Sequence, residues 1–195
     1  MDKEIDILGA GPSLKNYNFP KRNACIFTNS LINHKAFIAH KHAIFVAHEP
    51  RLFSEQFIKV YSQVVKNKKA FIGGELAPLM SQAELDYENI DALISANLDA
   101  AQLFDILREQ NEFLRNVVLD YAIPLSLALG FTKITLYGCD FNYGTKKHPQ
   151  YSVKNLGLYE HSVGSAKKWS EHSAQKFRLI KNYLEKKGLS VCRKL

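Results

Sequence analysis

Short, largely apolar segments recur along the chain, and they constrain its fold more than any other feature. They lie at 5–8, 24–28, 43–47, 70–72, 133–137 and 189–192. Their apolar residues do not alternate with polar ones, which is typical of strands buried on both faces of a parallel sheet. Helical patterns separate most of them. The sequence therefore predicts an α/β fold, namely a Rossmann-like, doubly wound and mostly parallel sheet.

The spacing of apolar residues predicts helices over 50–66, 99–115, 121–129 and 174–187. Residues 75–115 are expected to form a small helical insertion or lid. A loop rich in Tyr, His, Gly and Lys, within about 142–170, is expected to form a second lid segment. A chain of 195 residues is long enough for one domain, so we expect a single α/β domain over 1–195.

Composition excludes several classes of protein. A hydrophobic content of 46% with 12 Phe and 9 Tyr argues against disorder, and the apolar runs are too short to span a membrane. The charged start is unlike a signal peptide. The three widely spaced cysteines (Cys25, Cys139 and Cys192) in apolar surroundings indicate reduced thiols in a cytosolic core. We therefore expect a cytoplasmic protein.

The net charge of +7 is concentrated near the C-terminus, where residues 145–195 hold 12 Lys or Arg against three acidic residues. Such a field attracts phosphates, anionic sugars or the inner face of an anionic membrane. A solvated Lys-rich helix explains the same charge equally well. No motif for binding nucleic acid is present.

A glycine turn follows the first predicted strand, in the order Gly9, Ala10, Gly11, Pro12 and Ser13. Glycines let the backbone approach a ligand closely. If a helix begins near Pro12, its free N–H groups face a phosphate or ribose, and Ser13 either caps that helix or binds the ligand. Leu14 stands where the dinucleotide fingerprint has its third glycine, so binding of NAD or FAD is disfavoured. A plain turn between a strand and a helix is the alternative.

A second turn follows the strand at 133–137 and contains Gly138, Asp140 and Asn142. Asp140 is placed to accept hydrogen bonds from a sugar or nucleotide hydroxyl, or to cap nearby backbone. One carboxylate with one amide makes a poor magnesium site, so we predict no metal here.

Histidines and tyrosines in and after the long loop are the candidate catalytic groups. Histidine is the natural general base near neutral pH, and tyrosine hydroxyls can donate to a leaving phosphate. His172 is expected just before the last helix, with Ser173 as its cap, and His161 is the second candidate base. Tyr143 and Tyr151 are the candidate phosphate ligands. His34, His40 and His42 are expected at the surface.

In this order, these motifs resemble the bacterial sialyltransferases of glycosyltransferase family 42 and related proteins of surface-polysaccharide gene clusters. The resemblance rests on the turn at 7–15, on the segment 27–30 with Asn29, on 127–131, on 134–141, and on His172 with Ser173. It extends in order along nearly the whole chain, and it implies that residues 1–195 form a single nucleotide-sugar-binding α/β domain.

The resemblance implies a metal-independent, inverting transfer of a nonulosonic acid, such as sialic acid, from a CMP-activated donor, with no further cofactor. The acceptor would be an oligosaccharide or lipid-linked glycan, as in the biosynthesis of lipopolysaccharide or capsule. The implied roles are a base at His172 or His161, phosphate ligands at Tyr143 and Tyr151, and donor binding by Gly9, Ala10, Gly11, Pro12, Ser13, Asn29, Gly138, Asp140 and Asn142.

Several positions depart from the family pattern. Ala10 replaces a donor-binding Asn, Glu49 replaces the Asn of an Asn-Pro pair, and Asn142 occupies the place of the first phosphate tyrosine. The hydroxyl-bearing segment that holds the sugar carboxylate in the family falls near 117–119, which is Val-Val-Leu here. The exact sugar therefore stays open.

Two other functions remain open at this point. A magnesium-dependent enzyme resembling pyrophosphokinases has the same kind of turn, but it needs a set of acids. A non-catalytic nucleotide-binding or assembly module of the same fold would explain the departures. A homo-oligomer and contact between the basic C-terminal region and a membrane surface are further expectations.

Overall fold

A computed structural model describes residues 3–18, 24–66, 68–110, 116–141 and 163–194. These residues form a seven-stranded sheet. Its strands are β1 (Glu4–Leu8), β2 (Ala24–Thr28), β3 (Ala43–Ala47), β4 (Lys69–Ile72), β5 (Glu88–Asn89), β6 (Lys133–Tyr137) and β7 (Ser190–Lys194). All neighbouring strands are parallel, and their order is β5-β4-β3-β2-β1-β6-β7. The predicted Rossmann-like fold is confirmed.

Helices cover both faces of this sheet. The α-helices are α1 (Lys35–Ala39), α2 (Glu55–Val64), α3 (Leu76–Gln82), α4 (Ile90–Ser95), α5 (Leu98–Gln110), α6 (Ile123–Ala128) and α7 (Val163–Lys186). A π-helix, Val117–Ala122, runs directly into α6, and 3-10 helices span Pro12–Asn16, Asn29–Asn33 and Pro50–Leu52. None of the helices in the described part of the chain combines the length and apolar character needed to cross a membrane.

Alternate residues of the central strands enter two separate cores. Ile5 and Ile7 of β1 pack with α4 to α7 on one face, whereas Leu8 packs with α1 to α3 on the other. Both faces of the central strands are therefore apolar, which is why the strand sequences lack a polar alternation. The strand order reverses between β1 and β6, and ligands of such folds bind outside the carboxyl ends of the strands at this kind of switch point.

Six of the seven strands match the predicted segments within one or two residues, whereas the short edge strand β5 was not predicted. The last helix does not match its predicted bounds. The sequence predicts a loop within about 142–170 and a helix over 174–187, but α7 already begins at Val163. The predicted loop is therefore wrong from 163 onward, and the predicted start of the helix is wrong as well. Gly164, Ser165, Ser170 and Ser173 weaken helix propensity there. Packing overrides this weakness, because half-buried Trp169 and buried Ser173 continue the spacing of Phe177 and Ile180 along one face.

His40 and Cys192 also differ from expectation. His40 is buried rather than at the surface, and its Nε2 lies 3.5 Å from the Sγ of buried Cys25. That sulfur also lies 3.2 Å from the hydroxyl of Tyr17, which donates to Asp6 at 2.6 Å, so the ring completes a buried polar network. Cys192 is exposed rather than in the core, because it lies on the edge strand β7. None of the three cysteines, all of which lie in the described part of the chain, forms a disulfide bond.

Candidate functional site

The glycine turns after β1 and β6 pack directly against each other. The N–H of Gly11 donates to the carbonyl of Gly138 at 2.7 Å, and the N–H of Gly9 donates to Tyr137 at 2.8 Å. A Cβ on Gly9 would lie 2.6 Å from the carbonyl oxygen of Gly138, which is too close for any side chain. Gly138 itself has a φ of 61°, a conformation that favours glycine. The glycines are therefore required by the contact between the turns, whether or not a ligand is bound.

Ser13 and Asp140 join the two turns through their side chains. The hydroxyl of Ser13 accepts a hydrogen bond from the N–H of Gly138, and Oδ2 of Asp140 accepts one from the N–H of Ser13, both at 3.2 Å. The 3-10 helix does begin at Pro12, as predicted, but its N-cap residue is Gly11, which has no side chain. Asp140 of the other turn thus caps this helix, and Ser13 does not.

Arg193 of β7 supports the turn that carries Asp140. Its guanidinium donates to the carbonyl of Asp140 at 3.1 Å and lies over the rings of Phe141 and Phe177, at 5.4 and 5.8 Å from their centroids. Phe141 has a φ of 50°, which is uncommon for a residue with a side chain. The sequence analysis missed Arg193, because only the pairing of β7 with β6 brings it to the site.

Asn29 follows β2 at the same edge of the sheet. It adopts a φ of 46°, a conformation that Asn tolerates better than most residues. Its Oδ1 is buried and accepts no hydrogen bond from the described residues. A buried amide oxygen without a donor costs about 1–3 kcal/mol, and such groups require an explanation. A ligand that donates a hydrogen bond to this oxygen is one such explanation.

His48 and Tyr121 form a stacked pair at the end of β3. Their ring centroids are 4.7 Å apart with an interplanar angle of 20°, and both residues are buried. Gly73, after β4, leaves room for this pair, since a Cβ there would lie 3.0 Å from Tyr121. His48 directly follows β3, so it lies at the same edge of the sheet as the glycine turns. No local signal pairs it with a tyrosine of the π-helix.

His172 lies within α7 and not before it, so Ser173 is a buried mid-helix residue and not a cap. The predicted support for His172 by a capped helix start is therefore wrong. Burial restricts the His172 side chain instead, because the residue is half-buried and its Nε2 atom is buried. The hydroxyl of Ser173 is also buried, without a hydrogen-bond partner among the described residues.

A buried ion pair lies beside His172. Nζ of Lys176 is 2.6 Å from Oδ1 of Asp120 in the π-helix, and the side chains are only 2% and 5% exposed. Oδ2 of Asp120 accepts a hydrogen bond from the N–H of Asn116 at 2.5 Å. Burial raises the pKa of Asp120, while the charges of Lys176 and His172 and the Asn116 hydrogen bond oppose this rise. The sequence analysis missed both residues, since each looks like an ordinary charged residue of a helix.

Other predicted site residues are distributed as follows. Ala10 is half-buried and packs against the core under α1 to α3, and Pro12 starts the 3-10 helix. Asn142, Tyr143, Tyr151 and His161 lie outside the described residues, so their roles stay predictions.

The described residues contain no group of three His, Cys, Asp or Glu that could hold a metal ion. The segment 75–115 does form helices α3, α4 and α5 as far as it is described, and its role as a lid stays a prediction.

No protein-family model and no curated protein sequence matches the chain. Solved structures do match its fold. Over 98% of this chain and 75% of the other, it is similar to the monofunctional α-2,3-sialyltransferase Cst-I from Campylobacter jejuni, with a TM-score of 0.68 and 19% identity. It is also similar to the sialyltransferase CstII from Campylobacter jejuni in complex with cytidine-5'-monophosphate, a substrate analogue. There the match covers 98% of this chain and 79% of the other, with a TM-score of 0.60 and 16% identity. The chain thus has the α/β fold of these sialyltransferases.

Proposed function

We propose that the protein is a sialyltransferase-like glycosyltransferase that uses a CMP-activated sugar. The observation that carries this proposal is the reversal of strand order between β1 and β6, in a fold shared over 98% of the chain with a CMP-bound sialyltransferase. The paired glycine turns lie at the carboxyl ends of these two strands, and the buried Oδ1 of Asn29 lies at the same edge. A ribose hydroxyl or the cytosine amino group would supply the donor that this oxygen lacks.

The chemistry we propose needs no metal ion. His172 takes the proton from an acceptor hydroxyl, whose oxygen then forms a bond to the anomeric carbon. The bond from that carbon to the phosphate oxygen breaks, CMP leaves with the electron pair, and the anomeric centre inverts. Tyr143 and Tyr151 would donate hydrogen bonds to the leaving phosphate, and His161 is the second candidate base. A nonulosonic acid such as sialic acid is the proposed sugar.

The proposed acceptor is an oligosaccharide or lipid-linked glycan of the bacterial surface, made at the cytoplasmic face of the membrane. Exposed lysines of α7, such as Lys168 and Lys186, are available for contact with anionic headgroups. Contact with a membrane surface and the formation of a homo-oligomer are further parts of the proposal, and each has its own test. Sedimentation with vesicles containing anionic lipid, and light scattering of the free protein, would measure them.

A nucleotide-binding module without catalysis is the second candidate function. It is favoured by the turns themselves, because Ser13 and Asp140 already bind each other and the glycines are required by packing. In such a protein the carboxyl-end edge of the sheet would still bind a nucleotide, but no sugar would be transferred.

A thermal-shift screen with CMP, CDP, UDP, GDP and ATP, each with and without magnesium, is the first test. A ligand at 100 times its Kd stabilises the folded state by about 2.7 kcal/mol, which raises the Tm by several degrees. We expect a shift with cytidine nucleotides that is indifferent to magnesium. A shift with ATP and magnesium alone would instead favour phosphoryl transfer. The absence of any shift would overturn nucleotide binding.

Turnover of CMP-sialic acid then separates the enzyme from the module. We expect His172→Ala to lower kcat by about 10²- to 10⁴-fold, the usual contribution of a general base, with CMP affinity almost unchanged. His42→Ala is the matched control, since His42 is exposed at the far end of the sheet beside the start of β3. Full activity of His172→Ala would exclude His172 as the base and leave His161.

A further inference from the structure

Arg193 of β7 places a guanidinium beside the turn that carries Asp140. Its partner on β6 is Leu136, one residue before the end of that strand, so the side chain starts near the carboxyl edge of the sheet. Its Nη1 atom donates to the carbonyl oxygen of Asp140 at 3.1 Å. The positive charge therefore lies at the edge where the two glycine turns meet.

Two aromatic rings hold this guanidinium in place. Its central carbon lies 5.4 Å from the ring centroid of Phe141 and 5.8 Å from that of Phe177, and the two centroids are themselves 5.8 Å apart. A guanidinium over aromatic faces is attracted to their electrons, and it is more weakly hydrated than an ammonium. Packing and one hydrogen bond thus fix the position of this half-buried charge.

The charge of Arg193 is not paired with a carboxylate among the described residues. The nearby carboxylate of Asp140 is directed to the other turn, where its Oδ2 accepts the N–H of Ser13. A guanidinium has several N–H donors, and its hydrogen bond to the described residues is the one to the Asp140 carbonyl. Its remaining donors form the planar fork with which arginine binds phosphate groups.

Other cations in the described part of the chain do not offer the same charge at this edge. Among the lysines and arginines whose burial the structure describes, only Lys68, Lys176 and Arg193 are not exposed. Nζ of Lys68 donates to the carbonyl of His40 beside the start of β4, at the opposite edge of the sheet. Nζ of Lys176 is bound to Asp120. Exposed lysines are screened by water and salt, so they respond weakly to the charge of a ligand.

A phosphate bound at this edge needs a compensating charge. Asp140 is a predicted ligand of the donor nucleotide, and its carboxylate would repel the negative phosphate of the same molecule. Arg193 lies one hydrogen bond from the Asp140 backbone, so its charge offsets that of the carboxylate. The chemistry proposed above uses no metal ion, and side chains of the protein must then compensate the phosphate charge.

We propose that Arg193 binds the phosphate of the nucleotide, in addition to supporting the Asp140 turn. This role rests on the proposed function, since it requires a nucleotide at the carboxyl ends of β1 and β6. The anion that Arg193 binds is then the phosphate and not the carboxylate of the sugar. A residue that only supports the turn affects all ligands of the turn alike, whereas a phosphate-binding residue affects the charged ones most.

The affinities for CMP and for cytidine, which lacks the phosphate, provide the test. Arg193→Met removes the charge but keeps an unbranched side chain to pack against Phe141 and Phe177. We expect its Kd for CMP to rise about tenfold more than its Kd for cytidine, which corresponds to about 1.4 kcal/mol of binding free energy. Calorimetric titration measures CMP, and ligand-detected NMR measures the weaker cytidine. Arg178→Met is the matched control, since Arg178 is exposed on α7, and it should leave both Kd values unchanged.

Two further variants keep this test decisive. Arg193→Lys retains the positive charge, so its ratio of the two Kd values should stay closer to that of the original chain than the ratio of Arg193→Met does. Arg193→Gln replaces Arg193→Met in the comparison if the Met variant does not fold, with the same expected change.

Three results would overturn phosphate binding by Arg193. Equal weakening of CMP and cytidine, or of neither, would leave Arg193 as a support of the turn alone. A higher KM for CMP-sialic acid with an unchanged ratio for CMP and cytidine would assign the charge to the sugar carboxylate instead. If the original chain itself binds no CMP, nucleotide binding fails and the role of Arg193 fails with it. The first two results leave the proposed function intact.

Discussion

Ser13 and Asp140 are 127 residues apart in sequence, yet the N–H of Ser13 donates to Oδ2 of Asp140 at 3.2 Å. This bond caps the 3-10 helix after the first turn with a carboxylate from the second. The two turns are therefore one structural unit, and a substitution in either turn should alter the conformation of both.

Replacing Asp140 tests this unit. Asp140→Ala removes the cap, and we expect a loss of about 1 kcal/mol in the free energy of unfolding, together with weaker CMP binding. Asp140→Asn keeps an oxygen acceptor for the N–H of Ser13, so it should retain most of the stability. Urea denaturation and calorimetric titration with CMP measure the two effects. Equal stability of the Ala variant and the original chain would contradict the capping role.

Gly11 makes the closest approach to Asp140, since a Cβ placed there would overlap its Oδ2 and lie 2.6 Å from the carbonyl oxygen of Gly138. We expect Gly11→Ala to cost about 1–3 kcal/mol, as for other forced overpacking, and to abolish the nucleotide-dependent rise in Tm. Gly188→Ala is the matched control. Its φ of 72° makes it strained too, but no heavy atom lies within 4 Å of the added Cβ. It should therefore lower the Tm without changing the response to CMP.

Buried thiols give the fold a sensitivity to alkali. Burial raises the pKa of Cys25 to about 11 and that of Cys139 to about 12, whereas unfolded thiols titrate near about 8.5. From about pH 8.5 up to those folded values the unfolded chain has lost protons that the folded chain keeps, so stability falls as the pH rises.

The slope of this loss can be assigned to one residue. Each thiol contributes a slope of up to about 1.4 kcal/mol per pH unit within its window. We expect Cys25→Ala to reduce the slope of unfolding free energy against pH between about 9 and 11. Cys192→Ala should not, since Cys192 is exposed. Chemical denaturation at several pH values measures the slopes, and an unchanged slope in Cys25→Ala would contradict the assignment.

The buried pair also predicts a strongly non-additive mutant cycle. Lys176→Met or Asp120→Leu leaves one charge buried alone, and we expect a loss of about 3–5 kcal/mol for each. The double variant Asp120→Leu/Lys176→Met should recover most of that loss, because no charge remains to be compensated. Denaturant unfolding measures all four corners of the cycle. Additive losses would mean that the two side chains act independently.

Apolar patterning made most of the sheet predictable. Strands such as Ala24–Thr28 and Ala43–Ala47 are buried on both faces, and polar and apolar residues therefore do not alternate in their sequences. The glycine turns could also be placed, because both follow strands that end at the same edge. The steric requirement for glycine in these turns could not be predicted, since the contact of Gly9 with Gly138 depends on the pairing of β6 with β1, which are distant in the sequence.

Features that depend on pairing between distant segments were missed. Lys176 and Asp120 look like surface residues of helices until α7 packs on the π-helix. The predicted start of α7 was wrong because glycine and serine lower the helix propensity of its first turns, and only tertiary packing compensates for this. His40 was placed at the surface because nothing near it in sequence indicates the sulfur of Cys25.

The place of β1 in the sheet has a consequence for synthesis of the chain. β1 can pair with β2 as soon as residue 28 is available, but its other edge stays bare until residue 137 has been made. At about 5–20 residues per second, that interval is roughly 5–20 s. During this time an apolar strand edge is open to pairing with other chains. The nascent protein is therefore most exposed to aggregation just before the second glycine turn emerges.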